Sequence, residues 1–389
     1  MLLLLVSIVV TSTSCHRAYE FFTGLEFYEG TKIVDVYEKE SFESYVLVCD
    51  NKVYLSCEDY DSINKAFLYA SLFAPNTRGI IAPVLIYEGN VKDIDFYYDK
   101  AVLIRTSQNE LYSFNLKKKW HLAEKIAENV IHSDHSSCGY AFYVTSDHCL
   151  YAKSDGYNSS LYPSLDEKFA LATEEVTLLH SGIKFVKVYR DRLFVITTED
   201  KLCELVANAD GSASLTDPLL ENVNKFEVLD TSHRYINGVK HYFTEEGGKT
   251  PLFHVLLNDG SLYVKGIYNT MYSDVSMEQY DEWTLIDNDV SDFSSSEVGV
   301  VYMTKSGTAI YNGFDTVYDK DNFLFDKKIL LESGAVSVSA GSGGSQAIYV
   351  FGSDDKIYCW GDKFSVVFNR TAMENISVFH DEPLVFENK

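Results

Sequence analysis

Residues 336–361, VSVSAGSGGSQAIYVFGSDDKIYCWG, decide the fold. This stretch contains a Val-x-Val strand start, a loop of small residues, an apolar strand, a polar turn, and a strand that ends in Trp-Gly. Apolar residues at every second position are typical of a β-strand with one buried side. The stretch therefore predicts a small antiparallel sheet.

The same unit recurs seven times along the chain. An aromatic residue in the third strand marks six copies, and a cysteine takes its place in the fourth. The marks are Tyr54, Tyr112, Tyr151, Cys203, Tyr263, Tyr311 and Tyr358. The first and last marks lie 304 residues apart over six steps, which gives a mean period of about 51 residues, a length typical of repeat architectures.

Each mark follows an apolar run that is typical of a buried strand. The runs are residues 45–49, 101–105, 141–145, 193–197, 252–257, 298–304 and 347–351. Asp, Asn, Gly and Ser dominate the short connections between run and mark, as tight hairpin turns require. With a strand on either side of each hairpin, the sequence predicts an all-β fold. We expect a single seven-bladed β-propeller of four-stranded antiparallel blades over residues 21–389.

Residues 335–363 and, more faintly, 252–269 resemble the repeat of the regulator of chromosome condensation family. That repeat combines a Val-x-Val segment, an apolar strand, Asp-Gly and a Tyr-x-Trp-Gly ending. The first four units lack the small-residue loop and the Trp-Gly ending. The resemblance implies a seven-bladed propeller and, for some members, regulation of a small GTPase by nucleotide exchange. A shared fold does not by itself imply a shared function.

The charge balance opposes binding to nucleic acid. The chain has 33 basic and 57 acidic residues, a net charge of −24. Such a charge repels phosphate backbones and anionic lipid. The basic run at residues 117–119 is interpreted as a solvated loop.

The N-terminal region predicts a secretory leader at residues 1–14, and lipidation at Cys15 is an alternative. The apolar stretch is too short to span a membrane, and no later segment has the required length. Three sequons, at Asn158, Asn369 and Asn375, fall between units and fit glycosylation of a secreted or cell-surface protein. The seven cysteines do not have the spacing of a disulfide framework and are predicted to be mostly buried thiols on strands, which opposes secretion.

Motifs for catalysis, cofactors and metals are missing from the sequence. The cluster His132, Asp134, His135, Cys138, His148 and Cys149 places its members at opposite ends of one hairpin, so we predict no metal site there. Residues 287–292 imitate half of a calcium loop but lack the required glycine and glutamate. We predict no cofactor and no enzymatic activity.

Aromatic residues after several third strands are the candidate binding residues. We predict that a partner contacts Tyr157, Tyr162, Tyr268, Tyr272, Tyr280 and Trp283. Tyr and Trp are favoured interface anchors, and loops on a rigid scaffold commonly bind ligands. The alternative is that these rings cap the ends of the sheets. A short amphipathic helix is predicted at residues 61–74.

Three functions are consistent with this sequence. The first is a non-enzymatic, monomeric, secreted or cell-surface scaffold that binds a protein or a glycan. The second is an intracellular regulator of a small GTPase, as the family resemblance implies. The third is a glycan-cleaving propeller enzyme, which requires three or more carboxylates that converge in the central channel.

Overall fold

The computed structural model describes thirty strands and several of the connections between them. The described residues are 33–39, 44–49, 51–56, 84–97, 101–115, 122–136, 139–154, 168–169, 171, 175–229, 233–236, 239–242, 251–269, 277–315, 325–341, 347–361 and 376–387. Among them, no helix is long and apolar enough to cross a bilayer.

Seven four-stranded antiparallel sheets surround a central axis, and the sequence prediction of a seven-bladed propeller is confirmed. Within each blade the strands follow one another from the centre outward. Blades one to three are β1 (Ile33–Lys39), β2 (Ser44–Cys49), β3 (Lys52–Ser56) and β4 (Val84–Glu88); β5 (Val91–Tyr97), β6 (Ala101–Thr106), β7 (Leu111–Asn115) and β8 (Glu124–Ala127); and β9 (Val130–His135), β10 (Tyr140–Thr145), β11 (Cys149–Ser154) and β12 (Thr177–Ser181).

Blades four to seven continue the pattern, and blade five contains an additional hairpin. Their strands are β13 (Ile183–Tyr189), β14 (Arg192–Thr197), β15 (Leu202–Ala207) and β16 (Ala213–Leu215); β17 (Val223–Leu229), the hairpin β18 (His233–Ile236) and β19 (Val239–Tyr242), β20 (Leu252–Leu257), β21 (Leu262–Asn269) and β22 (Met277–Asp287); β23 (Val290–Ser296), β24 (Gly299–Thr304), β25 (Ala309–Phe314) and β26 (Phe325–Leu331); and β27 (Ala335–Ala340), β28 (Ile348–Gly352), β29 (Lys356–Trp360) and β30 (Leu384–Glu387).

The repeat marks lie where the sequence predicts them. Each mark is on the third strand of a blade, opposite the apolar run on the second strand, as for Tyr311 opposite Val301 and Tyr358 opposite Val350. The second strands are the most buried, because both of their faces pack against neighbouring blades. In β6, for example, every residue from Ala101 to Thr106 is buried.

Residues with positive φ connect adjacent blades. In blade five, Gly260 has a φ of 96°, and its carbonyl accepts the N–H of Val290, the first residue of the next inner strand, at 2.9 Å. Asp289 has a φ of 63°, and its carbonyl accepts the N–H of Lys305 at 2.9 Å. Gly, Asn and Asp tolerate this conformation best, which explains why they dominate these turns.

The ring closes by packing blade seven against blade one. Ile33, Val36 and Cys49 of blade one share a buried cluster with Tyr349 and Phe351 of blade seven. The hydroxyl of Ser339 also donates to the carbonyl of Val36 at 2.7 Å. Residues 384–387 form the outermost strand of blade seven, paired with β29. A segment close to the C-terminal end of the sequence therefore supplies the outermost strand of the last blade.

Candidate functional site

The two faces of the ring differ in the length of their connections. The first, called the turn face, carries the turns between second and third strands and the links to the next blade, and its connections have at most seven residues (216–222). The opposite face, called the loop face, carries the connections from first to second and from third to fourth strands. Its four longest connections are residues 57–83, 155–176, 230–251 and 361–383. Insertions have therefore accumulated on one face, where loops are free to serve binding.

The inner strands enclose a central channel with a cavity of about 400 Å³. Every inner strand has a bulge after its first residue, as between Val290 and Asp292. A bulge re-aims the residues that follow it. In β23 the next positions alternate, with Phe293 buried in the blade and Asp292 and Ser294 in the channel wall.

Six carboxylates line this channel, together with two lysines. The carboxylates belong to Asp35, Asp93, Asp95, Asp134, Glu227 and Asp292, and the lysines are Lys187 and Lys225. The carboxylates that the enzyme hypothesis requires are therefore present in the channel.

Several of these carboxylates tie one inner strand to the next. An inner strand is the edge of its sheet, so the N–H groups that point away from the sheet need acceptors outside the blade. Asp134 accepts the N–H of Val188 at 2.5 Å, and Glu227 accepts the N–H of Ser295 at 2.9 Å. The hydroxyl of Ser294 has the same role toward the N–H of Ala340, at 3.1 Å.

The side chains of Lys187 and Lys225 form ion pairs with carboxylates of the channel wall. Lys187 lies 3.3 Å from Asp134 and 3.8 Å from Asp95. Burial lowers the pKa of Lys187, but the carboxylates of Asp134, Asp95 and Glu227 outweigh burial and raise that pKa overall. Lys225 donates to Asp292 at 2.7 Å and to the Phe293 carbonyl at 2.8 Å.

Arg105 of blade two and His132 of blade three contact residues of inner strands. The guanidinium of Arg105 forms a two-pronged ion pair with Asp93, with Nε 2.9 Å from the carboxylate. His132 stacks on Phe185, with ring centroids 3.6 Å apart. Burial, and then the charges of Lys187 and Arg105, lower the pKa of His132 well below its usual value. Its imidazole is therefore neutral, and Nδ1 accepts the N–H of Val186 at 3.4 Å.

This arrangement is suited to structure better than to glycoside hydrolysis. A glycosidase needs one carboxylic acid that stays protonated and one free carboxylate. Here Asp93, Asp95, Asp134 and Asp292 contact cations, and Glu227 accepts a backbone N–H. Asp35 accepts the N–H of Val36 at 2.8 Å. Each of these carboxylates therefore takes part in a contact within the ring.

No known protein-family model matches the chain, and no curated protein matches it in sequence. Solved structures do match in shape. Human WBSCR16 is 12% identical, with a TM-score of 0.50 over 80% of this chain and 86% of that one. Prp20p from Saccharomyces cerevisiae, also described as yeast RCC1, is 11% identical, with a TM-score of 0.47 over 74% of each chain. Hsv2 from Kluyveromyces marxianus is 10% identical, with a TM-score of 0.44 over 89% and 99%. At these identities the likeness concerns the fold alone.

Three predicted binding residues lie on strands instead of in a loop, which corrects the expected local structure. The strand β21 continues to Asn269 because Gly266 adopts a φ of 120°, at a point where a Cβ would lie 2.5 Å from the Pro251 carbonyl. Tyr268 is fully buried and hydrogen bonds to His254, so it has no surface for a partner. Tyr280 packs edge-on against Tyr268, with ring centroids 6.1 Å apart.

Trp283 connects blade five to the link that precedes it. Its indole N–H donates to the Leu219 carbonyl at 3.2 Å, and its ring packs on Phe253 with centroids 5.9 Å apart. Lys265 lies over the same ring at 5.8 Å. Trp283 therefore has a structural role, and part of its side chain remains exposed.

The other predicted site residues lie outside the described residues. Tyr157, Tyr162 and Tyr272 and the sequon residues Asn158, Asn369 and Asn375 belong to connections of the loop face, as do residues 61–74 and 117–119. Ser377, the third residue of the last sequon, is described. It is buried, and its hydroxyl donates to Asp315 of blade six at 2.6 Å. This residue therefore helps to join blades six and seven.

The histidines and cysteines considered for metal binding are distributed along blade three. His135 pairs with Ala141 at one end of β10, while His148 lies in the turn at the other end with a φ of 61°. Within the described ranges, no three His, Cys, Asp or Glu residues are grouped to hold a metal ion. The described cysteines Cys49, Cys149, Cys203 and Cys359 are thiols on strands, and all but Cys149 are buried.

The hairpin of β18 and β19 was not predicted from the sequence. Its signal is the dipeptide Asn237-Gly238 between two four-residue segments, which is strongly typical of a two-residue hairpin loop. The contacts of Lys187 with Asp95 and Asp134 were not predicted either. Their three strands belong to different blades, so no local pattern reveals them.

Proposed function

We propose that this chain is a non-catalytic propeller scaffold that binds a protein partner through its loop face. The observation that carries this proposal is the difference in connection length between the two faces. The propeller needs only short turns to link its strands, as the two-residue connections 190–191 and 297–298 demonstrate on the loop face itself. Four connections of more than twenty residues on that face exceed what the fold requires, and two of them contain the predicted Tyr residues or the sequons.

The channel supports the non-catalytic part of the proposal. Its carboxylates and lysines bond to one another and to the edges of inner strands. If these carboxylates turned away from the inner strands to act on a substrate, the backbone N–H groups that they accept would lose their acceptors. Each loss would cost about 1–3 kcal/mol. The channel is better explained as the polar core of the ring.

Photo-crosslinking tests the choice of face. Benzoylphenylalanine is placed at Asp210 on the loop face or at Asp259 on the turn face, both exposed positions in short connections. We expect adducts with one recurrent protein from position 210 and none from position 259. Adducts from position 259 alone would assign binding to the turn face, and adducts with glycans instead of protein would change the class of partner.

Regulation of a small GTPase is the second candidate, favoured by the repeat resemblance of blade seven. Prp20p is described as binding Gsp1p and histones, and this property belongs to that protein. A nucleotide-exchange assay against a panel of small GTPases tests this candidate. Accelerated exchange with one GTPase would make that GTPase the partner and would place the chain inside the cell.

Secretion is the compartment proposed for the main function, on the basis of the leader-like residues 1–14 and the three sequons. The thiols of the described cysteines favour a reducing compartment instead. Mass spectrometry of the native protein tests both together. A mature N-terminus near residue 15 with glycans at the sequons supports secretion, whereas an intact N-terminus without glycans supports an intracellular protein.

A further inference from the structure

The hairpin of β18 and β19 is an insertion that blade five does not need. Leu229 at the end of β17 pairs with Leu252 at the start of β20, so the two strands are already adjacent where the insertion begins and ends. Residues 230–251 fill this connection, whereas the equivalent connections of blades four and six are residues 190–191 and 297–298. The insertion leaves the inner strand beside the channel, because Leu229 lines the cavity.

This hairpin is also separate from the seven sheets. It forms a two-stranded sheet with the register His233–Tyr242, Arg234–His241, Tyr235–Lys240 and Ile236–Val239. No described strand pairs with either of its edges. A two-stranded hairpin is marginally stable alone, and an open edge is a template for a further strand.

The charge of the hairpin is opposite to that of the protein. Residues 233–242, HRYINGVKHY, contain Arg234, Lys240 and two histidines, and no acidic residue. The whole chain has a net charge of −24. In the register, Arg234 pairs with His241 and Tyr235 pairs with Lys240, so the two basic residues belong to adjacent cross-strand pairs.

We propose that this hairpin is the docking element of the loop face and that it binds an extended, acidic segment of the partner protein as an added strand. The inference rests on the proposed function and specifies the partner's chemistry. Backbone hydrogen bonds along the open edge provide the attachment, and the basic residues select acidic sequences. An acidic peptide is favoured over nucleic acid because strand addition requires the N–H and C=O groups of a peptide backbone, which a nucleic acid lacks.

Direct binding of defined probes tests the proposal on the full chain. The probes are a fluorescent peptide of alternating Glu and Val, the same peptide with Lys in place of Glu, and a short oligothymidylate. We expect the acidic peptide to bind at about 50 mM salt and to weaken at about 300 mM, as screening requires. Hydrogen exchange should show new protection at residues 233–242 in the complex.

Three variants separate the role of the hairpin from general charge effects. Arg234→Glu with Lys240→Glu should weaken acidic-peptide binding by about tenfold or more, since both cations become anions. Lys201→Glu with Lys305→Glu changes the net charge equally on the turn face and should alter binding less than about twofold. Replacement of residues 230–251 by Asn-Gly should abolish binding and leave the thermal unfolding of the propeller unchanged.

Failure of this inference differs from failure of the proposed function. The inference is overturned if the acidic peptide does not bind, if the Arg234 and Lys240 variant binds equally well, or if oligothymidylate binds more tightly. The photo-crosslink from position 210 would still form if another loop of this face binds the partner. If the Asn-Gly replacement loses both the photo-crosslink and peptide binding, and the Lys201 and Lys305 variant keeps both, the inference and the proposed function are both supported.

Discussion

The carboxylate of Glu227 accepts the backbone N–H of Ser295 at 2.9 Å, although the two residues belong to the inner strands of different blades. Asp134 has the same relationship to Val188 two blades earlier. Acidic residues on inner strands thus complete the hydrogen bonding of neighbouring sheet edges, which accounts for part of the high acidic content without a catalytic role.

Glu227→Ala is expected to lower the free energy of unfolding by about 1–3 kcal/mol, because it leaves the N–H of the buried Ser295 without an acceptor. Glu227→Gln retains an acceptor oxygen and should lose less. Urea unfolding measures both. Glu332→Ala, an exposed position on the turn face, is the control and should change stability by less than about 0.5 kcal/mol. Equal losses at Glu227 and Glu332 would show that the interblade bond contributes nothing.

Acid should destabilise the propeller through His254, which is fully buried and hydrogen bonds to Tyr268. Burial lowers the pKa of His254 from 6.5 to about 3. The unfolded chain therefore binds a proton below pH 6.5 while the folded chain does not, so stability falls as pH drops from 6.5 toward 3. The loss from this group is on the order of 1 kcal/mol per pH unit.

The double variant His254→Leu with Tyr268→Phe tests this pH dependence, since it removes both partners of the bond and leaves neither unpaired. The slope of unfolding free energy against pH between 6 and 4 should be shallower than in the wild-type protein by about one proton's contribution. Neutral His132 contributes a similar slope and remains in the variant. An unchanged slope would mean that His254 takes up its proton in the folded state.

Gly313 lies opposite Gly299 where β24 and β25 pair, and Tyr311 lies against both. A Cβ on Gly313 would lie 2.5 Å from the Gly299 Cα and 2.6 Å from the Val298 carbonyl. Gly313→Ala should therefore cost about 1–3 kcal/mol by overpacking, visible as a lower thermal midpoint. Gly182→Ala is the comparison, because a Cβ there has 3.8 Å of space and any loss comes from its φ of 76°. A smaller loss at Gly313 than at Gly182 would contradict the steric argument.

Local patterns were sufficient for the central hairpin of each repeat, but not for contacts between blades. The repeat marks predict hairpins such as β24–β25 correctly, because a hairpin is decided by a few adjacent residues. Asp134 meets Val188 from 54 positions away, and this pairing depends on how the ring closes. Tyr268 looked like a loop residue because the bulge at Gly266 interrupts the alternation, although the strand continues through it.

The contact between blades seven and one should be as strong as the other blade contacts, although the chain does not run directly from one to the other. Val36 and Val186 hold equivalent inner-strand positions, are both buried, and pack in different interblade clusters. Each change to Ala should cost about 2 kcal/mol through the lost burial and the cavity left behind. Denaturant titration compares the two variants directly, and Val34→Ala, at a residue with 47% exposure on the same strand, should have little effect. A loss at Val36 of less than about a third of that at Val186 would mean that the ring is held open there, because a cavity lowers stability only where packing was tight.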